Sequence, residues 1–404
     1  MLRDSRKNPA YITVLMMVLY AVSNGIQYIG YNCIPLIISD QTFCNDSTIG
    51  YAVAAGSVST IIGQFFWGRV SDRAKSKNRV LAVILIGMSL SGLLFLGKLF
   101  SEAYLYAIMM VFYFFFLAPQ SMVDTICIEN IKYTNKPFGF IRTAPPAFST
   151  VMALLMLLFP FFTAKRMVVL LVICPLIGLI PTFLLPRTEG HDRKNNGENK
   201  KEKGSALKLL RDKRLLLLLA FGLFGCTFGN VPTTYFSVYY STERGLGAGT
   251  NMLGAFFAIA IFLEVVTLLL GTKLVKKVNS YVILAFLLLS NAVRMFLIFL
   301  ITDPYLMLVT SVFQAVWFGL MFSVATPLIN SIVPPEYSAT GQSLWVLTAF
   351  GISQILSNLL AGILAEYMPL RQIFLVAGIG FVALFLVLGP MLLKQAKKNA
   401  GKGV

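Results

Sequence analysis

Asp124 and Arg142 are the residues best placed to do chemistry in this chain, and both sit where charge is expensive. They lie in PQSMVDTICIENIKYTNKPFGFIRTAPP, residues 119–146, which reads as two apolar helices joined by a short basic turn. A charge inside hydrocarbon persists when it is paired or lines a watery cavity, so each marks a functional position. Counting from the helix ends at 1.5 Å per residue puts the two within roughly 3 Å of the same level. One expectation is an ion pair across the hairpin that orients the two helices. The other is contact with a polar solute, because a guanidinium fork and a carboxylate suit hydroxyls, amides or a ribose-like group. Glu129, one turn further out, reads as a solvated headgroup-level residue.

The second half of the chain carries two comparable charges, Glu264 and Arg294. Glu264 falls about 12 Å into its helix, near the midplane, and Arg294 about 22 Å into the next. A carboxylate at that depth is suited to carrying a proton. The alternative is a satisfied ion pair without a coupling role. Weaker candidates cluster at prolines. Gln27, Tyr31 and Asn32 precede Pro35, while Asn230, Thr233 and Tyr235 flank Pro232. Proline frees a backbone carbonyl and can open a hinge. Phe148, Tyr235, Trp317 and Trp345 are aromatics able to stack on a sugar or base, or simply to pack. Pro145 and Pro146 are expected to kink the helix just beyond Arg142.

These positions need a scaffold, and the composition indicates a membrane one. Of 404 residues 57% are hydrophobic and 13% charged, about half the charged share of a soluble domain. Twelve apolar runs long enough to span a bilayer fall at about 10–38, 48–70, 79–99, 103–130, 138–163, 166–186, 214–241, 249–272, 279–301, 304–333, 338–366 and 370–393. The expected fold is therefore an all-α membrane protein of twelve transmembrane helices in two six-helix bundles. An N-terminal bundle occupies 1–186, a polar linker 187–213 with a short surface helix over 205–213, and a C-terminal bundle 214–404. With the N-terminus in the cytoplasm, the cytoplasmic segments hold 27 of the 34 basic residues. That asymmetry orients the chain with both termini inside. The net charge of +17 sits in short turns rather than on one face, so it does not indicate nucleic acid.

The N-terminal apolar run is too long for a cleavable signal core. The five cysteines show no metal spacing, although Cys33 and Cys44 are placed near one membrane face, where a disulfide would be permitted. No G-x-x-x-x-G-K-[ST] phosphate loop occurs. The single histidine, His191, lies in the linker, so no catalytic Ser/His/Asp set is available and neither an enzyme nor a cofactor is expected. Two six-helix halves joined by a cytoplasmic linker are the plan of an alternating-access carrier; a twelve-helix channel or structural protein is the rival reading.

The loop GRVSDRAKSKNR, 68–79, resembles the signature of the major facilitator superfamily, with Gly68, Asp72 and Arg73 matching and Lys75 where a second glycine is usual. The resemblance implies a close helix approach at Gly68 and a conformational role for Asp72, which would accept hydrogen bonds in one state only. The segment GTKLVKKVNS, 271–280, is an echo of this loop without the aspartate. Within the superfamily the hairpin resembles that of the lactose-permease and oligosaccharide or nucleoside proton-symporter group. There a carboxylate in the fourth helix faces an arginine following a Phe-Gly pair in the fifth; here these are Asp124 and Phe138-Gly139-Phe140-Ile141-Arg142. Glu264 and Arg294 resemble the group's coupling carboxylate and its partner arginine, and VPPEYSATGQSLW, 333–345, resembles its turn between the tenth and eleventh helices.

The chain also departs from the group. The proton-handling histidine falls on Gln314, a nearby glutamate of lactose permease on Trp317, and its sugar-stacking tryptophan on Ser149. Gln314 and Trp317 thus join the candidate substrate contacts. The resemblance implies a monomeric secondary transporter in the cell membrane that carries a small polar solute, sugar or nucleoside-like, with proton symport through Glu264 or Asp124. The alternatives are an exporter or lipid flippase of the same fold, an uncoupled facilitator, and a non-transporting sensor.

Overall fold

The computed structural model describes residues 8–159, 161–190, 209–334 and 337–400. His191 and residues 205–208 of the expected surface helix lie outside them. Twelve helical rods account for the expected spans. The first six are α1 (Pro9–Ser39), α2 (Asp46–Arg73), α3 (Lys77–Leu93), α4 (Glu102–Tyr133), α5 (Phe138–Leu158) and α6 (Lys165–Leu184). The second six are α7 (Lys213–Ser241), α8 (Gly249–Leu274), α9 (Ser280–Leu300), α10 (Pro304–Ile332), α11 (Thr340–Tyr367) and α12 (Leu370–Ala400). Eleven are long and apolar enough to cross a membrane; α3, with 17 residues, falls just short. It ends at Leu93 rather than near residue 99. In its last turn Ser91 donates back to the carbonyls of Gly87 and Met88 at 2.7 and 3.0 Å, which weakens helical propagation.

Helix starts follow the capping chemistry in the sequence. Asn8, Ser101, Asp212, Asn279 and Asp303 each accept a hydrogen bond from a backbone N–H of the first turn, satisfying donors that a helix leaves unpaired. At Asp212, outside the spans, hydrogen bonding from Arg214 also holds the carboxyl below its usual range.

The chain divides into two compact units, Met1–Thr48 with Ala55–Asn199, and Ile49–Ala54 with Lys200–Val404. In the first, α2 approaches α4 along a stripe of small residues. Ser59 and Thr60 donate to the carbonyls of Met110 and Tyr113 at 2.6 and 3.2 Å. A Cβ on Gly63 would stand 2.2 Å from the carbonyl oxygen of Phe114. α3 packs on α6, where Ser89 donates to the carbonyl of Val172. The second unit repeats these pairings six helices later, α8 on α10 and α9 on α12. There Ser323 donates to the carbonyl of Leu268 at 3.2 Å, and a Cβ on Gly319 would lie 2.8 Å from Thr267. Lipid is as apolar as leucine, so small residues that permit close backbone approach, with hydroxyls that bond across it, hold such helices together.

Three local expectations change. No disulfide joins Cys33 to Cys44 or any other cysteine pair. Gly68 makes no close approach to any described residue, since a Cβ there would meet none of them within 4 Å. The close contact at this loop comes instead from Gly190, whose Cβ would stand 2.2 Å from the carbonyl oxygen of Asp72. The start of the segment read as a linker is stitched to the α2–α3 turn: Lys77 N donates to Thr188 O, Thr188 N to the Asn78 amide oxygen, and Arg187 to Lys75 O. Asp72 faces Lys77 Nζ at 3.8 Å and remains half exposed, while Arg73 is exposed.

Gly63→Ala is expected to cost about 1–3 kcal/mol through overpacking, read as a lower midpoint in thermal unfolding of the purified protein. Gly68→Ala, inside a helix and with open space at its Cβ, is expected to leave that midpoint unchanged or raise it. Equal midpoints for both variants would contradict the packing described.

Candidate functional site

Helix breaks place the polar side chains, but not all of them lie at prolines: α1 stays helical through Pro35, where a hinge was expected, and is interrupted earlier instead. α1 widens to a π-type turn over Ala21–Gly25, then resumes as Gln27–Ser39. α7 repeats this pattern, with a π-type turn at Phe221–Gly225 and a further break at Asn230 before Pro232. α4 breaks at Leu117 before Pro119. α5 breaks at Arg142–Thr143, and Pro145 opens the segment Ala144–Leu158. Such irregularities free backbone groups that must find partners inside protein or in water. At the first of them Ser149 of α5 donates to the carbonyl of Gly25 at 3.3 Å, and Phe148 packs against the same glycine. Ser149 therefore serves the broken helix, and Phe148 is a packing residue there.

In the first unit Asp124 accepts a hydrogen bond from the Tyr20 hydroxyl of α1. Among the described residues it forms no ion pair with Arg142. The expected hairpin pair is thus replaced by a bond between α4 and α1. Arg142 ends the short helix Phe138–Ile141 and is exposed. Phe138 lies edge-on to Tyr20 at 6.1 Å, so the Phe-Gly turn and the acid share one partner. The α1 candidates divide. Gln27 is half-buried with its amide nitrogen unpartnered. Tyr31 lies edge-on to Phe116 at 5.4 Å. Asn32 is turned onto its own helix, donating to Tyr28 O at 2.8 Å.

In the second unit Glu264, on α8, is half-buried and makes no ion pair among the described residues. Arg294, on α9, is 2% exposed and donates to the Gln314 side-chain oxygen of α10 at 2.6 Å. The resemblance-based pairing of Glu264 with Arg294 is absent because α9 packs on α10 and α12, while α8 packs on α10. Trp317 is 1% exposed, with its ring 5.8 Å from both Phe221 and Phe381. In this state it is a bundle-packing residue. Trp345 packs against Gly222 in the same way, and Tyr235 is fully buried. The amide nitrogen of Asn230, at the α7 break, is buried and unpartnered.

Two residues matter here that the sequence reading passed over. Tyr20, an aromatic in an apolar run, immediately precedes the π-type turn of α1. Asn291 is 1% exposed with neither amide atom partnered. Its signal was its spacing of three from Arg294, which puts both on one face. No group of side chains able to hold a metal is found among the described residues.

Twelve helices in two sixes, interrupted at polar side chains and carrying ionisable groups inside the spans, define a multi-pass membrane transporter. The chain belongs to the MFS_1 like family, whose sequence model matches residues 38–376. It is 22% identical over 401 residues, 94% of each chain, to the uncharacterized transporter YwbF of Bacillus subtilis (strain 168). It is 26% identical over 365 residues, 87% of this chain and 88% of the relative, to multidrug resistance protein 2 of the same organism. In fold it is similar to the crystal structure of the nucleoside transporter NupG, with a TM-score of 0.79 at 12% identity, covering 94% of this chain and 98% of that one.

The Tyr20–Asp124 bond is expected to contribute about 1.5–3 kcal/mol, as a hydrogen bond to a charged acceptor does. A double-mutant cycle of Tyr20→Phe and Asp124→Asn on thermal stability should therefore show coupling of that size. Additive losses would mean that the two groups do not interact.

Proposed function

We propose that this transporter is a secondary carrier of a small polar solute, sugar or nucleoside-like, working by alternating access with proton symport. The observation that supports this reading is the state of the four intramembrane charges. Asp124, Arg142, Glu264 and Arg294 all lie inside spanning rods, yet among the described residues none forms an ion pair with another. Charges retained in a membrane without pairing are available to solute and proton. In this reading Asp124 and Arg142, with Gln27, Tyr31 and Asn32 from the same unit, contact the solute. Asn230, Tyr235, Gln314 and Trp317 are the candidate solute contacts of the second unit. Glu264 carries the proton, with Arg294 and Asp124 as further coupling groups, and Gly68, Asp72 and Arg73 act in the conformational change. The chain works as a monomer in the cell membrane with both termini cytoplasmic.

Export is the second reading, favoured by the similarity to a protein named for multidrug resistance; a lipid flippase is a variant of it. An uncoupled facilitator is favoured by Gln314 standing where the resembled group has histidine. Counterflow in proteoliposomes separates these, because a labelled sugar or nucleoside is expected to exchange. No exchange across a panel of both would count against the importer. Asp124→Asn and Arg142→Lys are each expected to weaken solute binding, and normal binding in both would leave these residues a structural role only. Glu264→Gln is expected to abolish proton-driven accumulation while leaving exchange intact, and unchanged pH-dependent uptake would remove Glu264 from the mechanism.

A further inference from the structure

Arg294 poses a problem of charge balance, because Glu264 on α8 of the same unit forms no ion pair with it among the described residues. A guanidinium is not deprotonated in proteins, so a cation stands about 21 Å into α9, 2% exposed. α9 and the helices packed on it, α10 and α12, contain neither Asp nor Glu, and neither does α7. Among the described residues it donates to the neutral Gln314, and its Nε has no partner. Burying a charge is costly unless it is both paired and hydrogen-bonded.

The surrounding groups share its polarity. α9 and α10 are joined by residues 301–303 and run antiparallel. Because Arg294 meets Gln314, Asn291 and Trp317 lie level, one turn further toward the same end. The indole N–H of Trp317 and both amide atoms of Asn291 are buried and unpartnered. Trp317 Nε1 is turned toward Gly229, where a Cβ would stand 3.4 Å from it. The next residue is Asn230, whose amide nitrogen is unpartnered too. Among the described side chains, Arg294 Nε, Trp317 Nε1 and the Asn291 and Asn230 amide nitrogens are thus four buried donors, against one orphaned side-chain acceptor, the Asn291 amide oxygen. Neutral solutes need donors and acceptors in comparable number; a donor-rich site around a fixed cation suits an anion.

We propose that Arg294, Asn291 and Trp317, with Asn230 beside them, form an anion-binding site inside the second unit. Its ligand is a small anion, either a free ion such as chloride or the carboxylate of a carried solute. The site does not depend on the transport reading; only the second source does. Occupancy neutralises the guanidinium and satisfies donors that the fold leaves open.

The test is thermal unfolding of the purified full-length protein in detergent, at fixed ionic strength, with a bulky sulfonate as the reference anion. Chloride or acetate is expected to raise the midpoint saturably, by about 3 °C or more at high occupancy. That result identifies a free anion. A rise with glucuronate but not with glucose, in the absence of any chloride effect, identifies the carboxylate of a solute. Arg294→Gln should abolish either shift. Trp317→Phe keeps the ring and removes one donor, so it should raise the half-saturating concentration about tenfold even if the arginine variant does not fold. No response to any of these anions in the unmodified protein would overturn the proposal, leaving the donors to water. A shift that survives in Arg294→Gln, or an unchanged half-saturating concentration in Trp317→Phe, would overturn it as well.

Discussion

A polar group in hydrocarbon has no water to fall back on. Each N–H, C=O or charge placed there must find a partner inside the protein or line a wet cavity. Most of this chain meets the constraint with uninterrupted helix. Where helix fails, neighbouring side chains take over, as Ser149 does for the carbonyl of Gly25. Where a charge is involved the solutions differ. Asp124 takes a tyrosine hydroxyl and Arg294 a glutamine oxygen, whereas Arg142 and Glu264 have no ion pair among the described residues.

The difference between a pair and a set of separated charges is energetic. A buried ion pair is self-contained, and breaking it to admit a solute is expensive. A carboxylate held by a neutral hydroxyl keeps acceptor capacity. A guanidinium held by one amide keeps donors. The two units therefore each present a partly satisfied charge, and each does so beside a helix interrupted at the corresponding place, α1 in the first and α7 in the second. The matching interruptions and the matching α2–α4 and α8–α10 contacts indicate one six-helix plan used twice, although the charged residues of the two copies differ in kind and position.

Most of the fold was legible because spanning helices announce themselves by composition alone. The twelve apolar runs matched the rods within a few residues. Larger differences fall at the ends of α5, which stops at Leu158, of α12, which runs on to Ala400, and of α3, where serine back-bonding and glycine end a helix that hydropathy alone would continue. Contacts were less legible. Gly68 fits a signature, but a signature does not say which neighbour a glycine faces; Gly190, far along the chain, makes the close approach instead. The charged residues were found from sequence, but their partners were not. Tyr20 stands 104 positions from Asp124 and Gln314 20 from Arg294, and neither side chain is conspicuous in its own run. Asn291 and the inward turn of Trp317 follow from the pairing of α9 with α10 and from the aromatics of α7 and α12, which no local pattern carries.

The central claim is that these charges are left unpaired because solute and proton use them. The most direct measurement is the external pH of weakly buffered proteoliposomes holding the unmodified protein, recorded as a solute active in counterflow is added outside. The account predicts alkalinisation that accompanies solute entry and disappears with a protonophore. Solute entry with no change in external pH would contradict it.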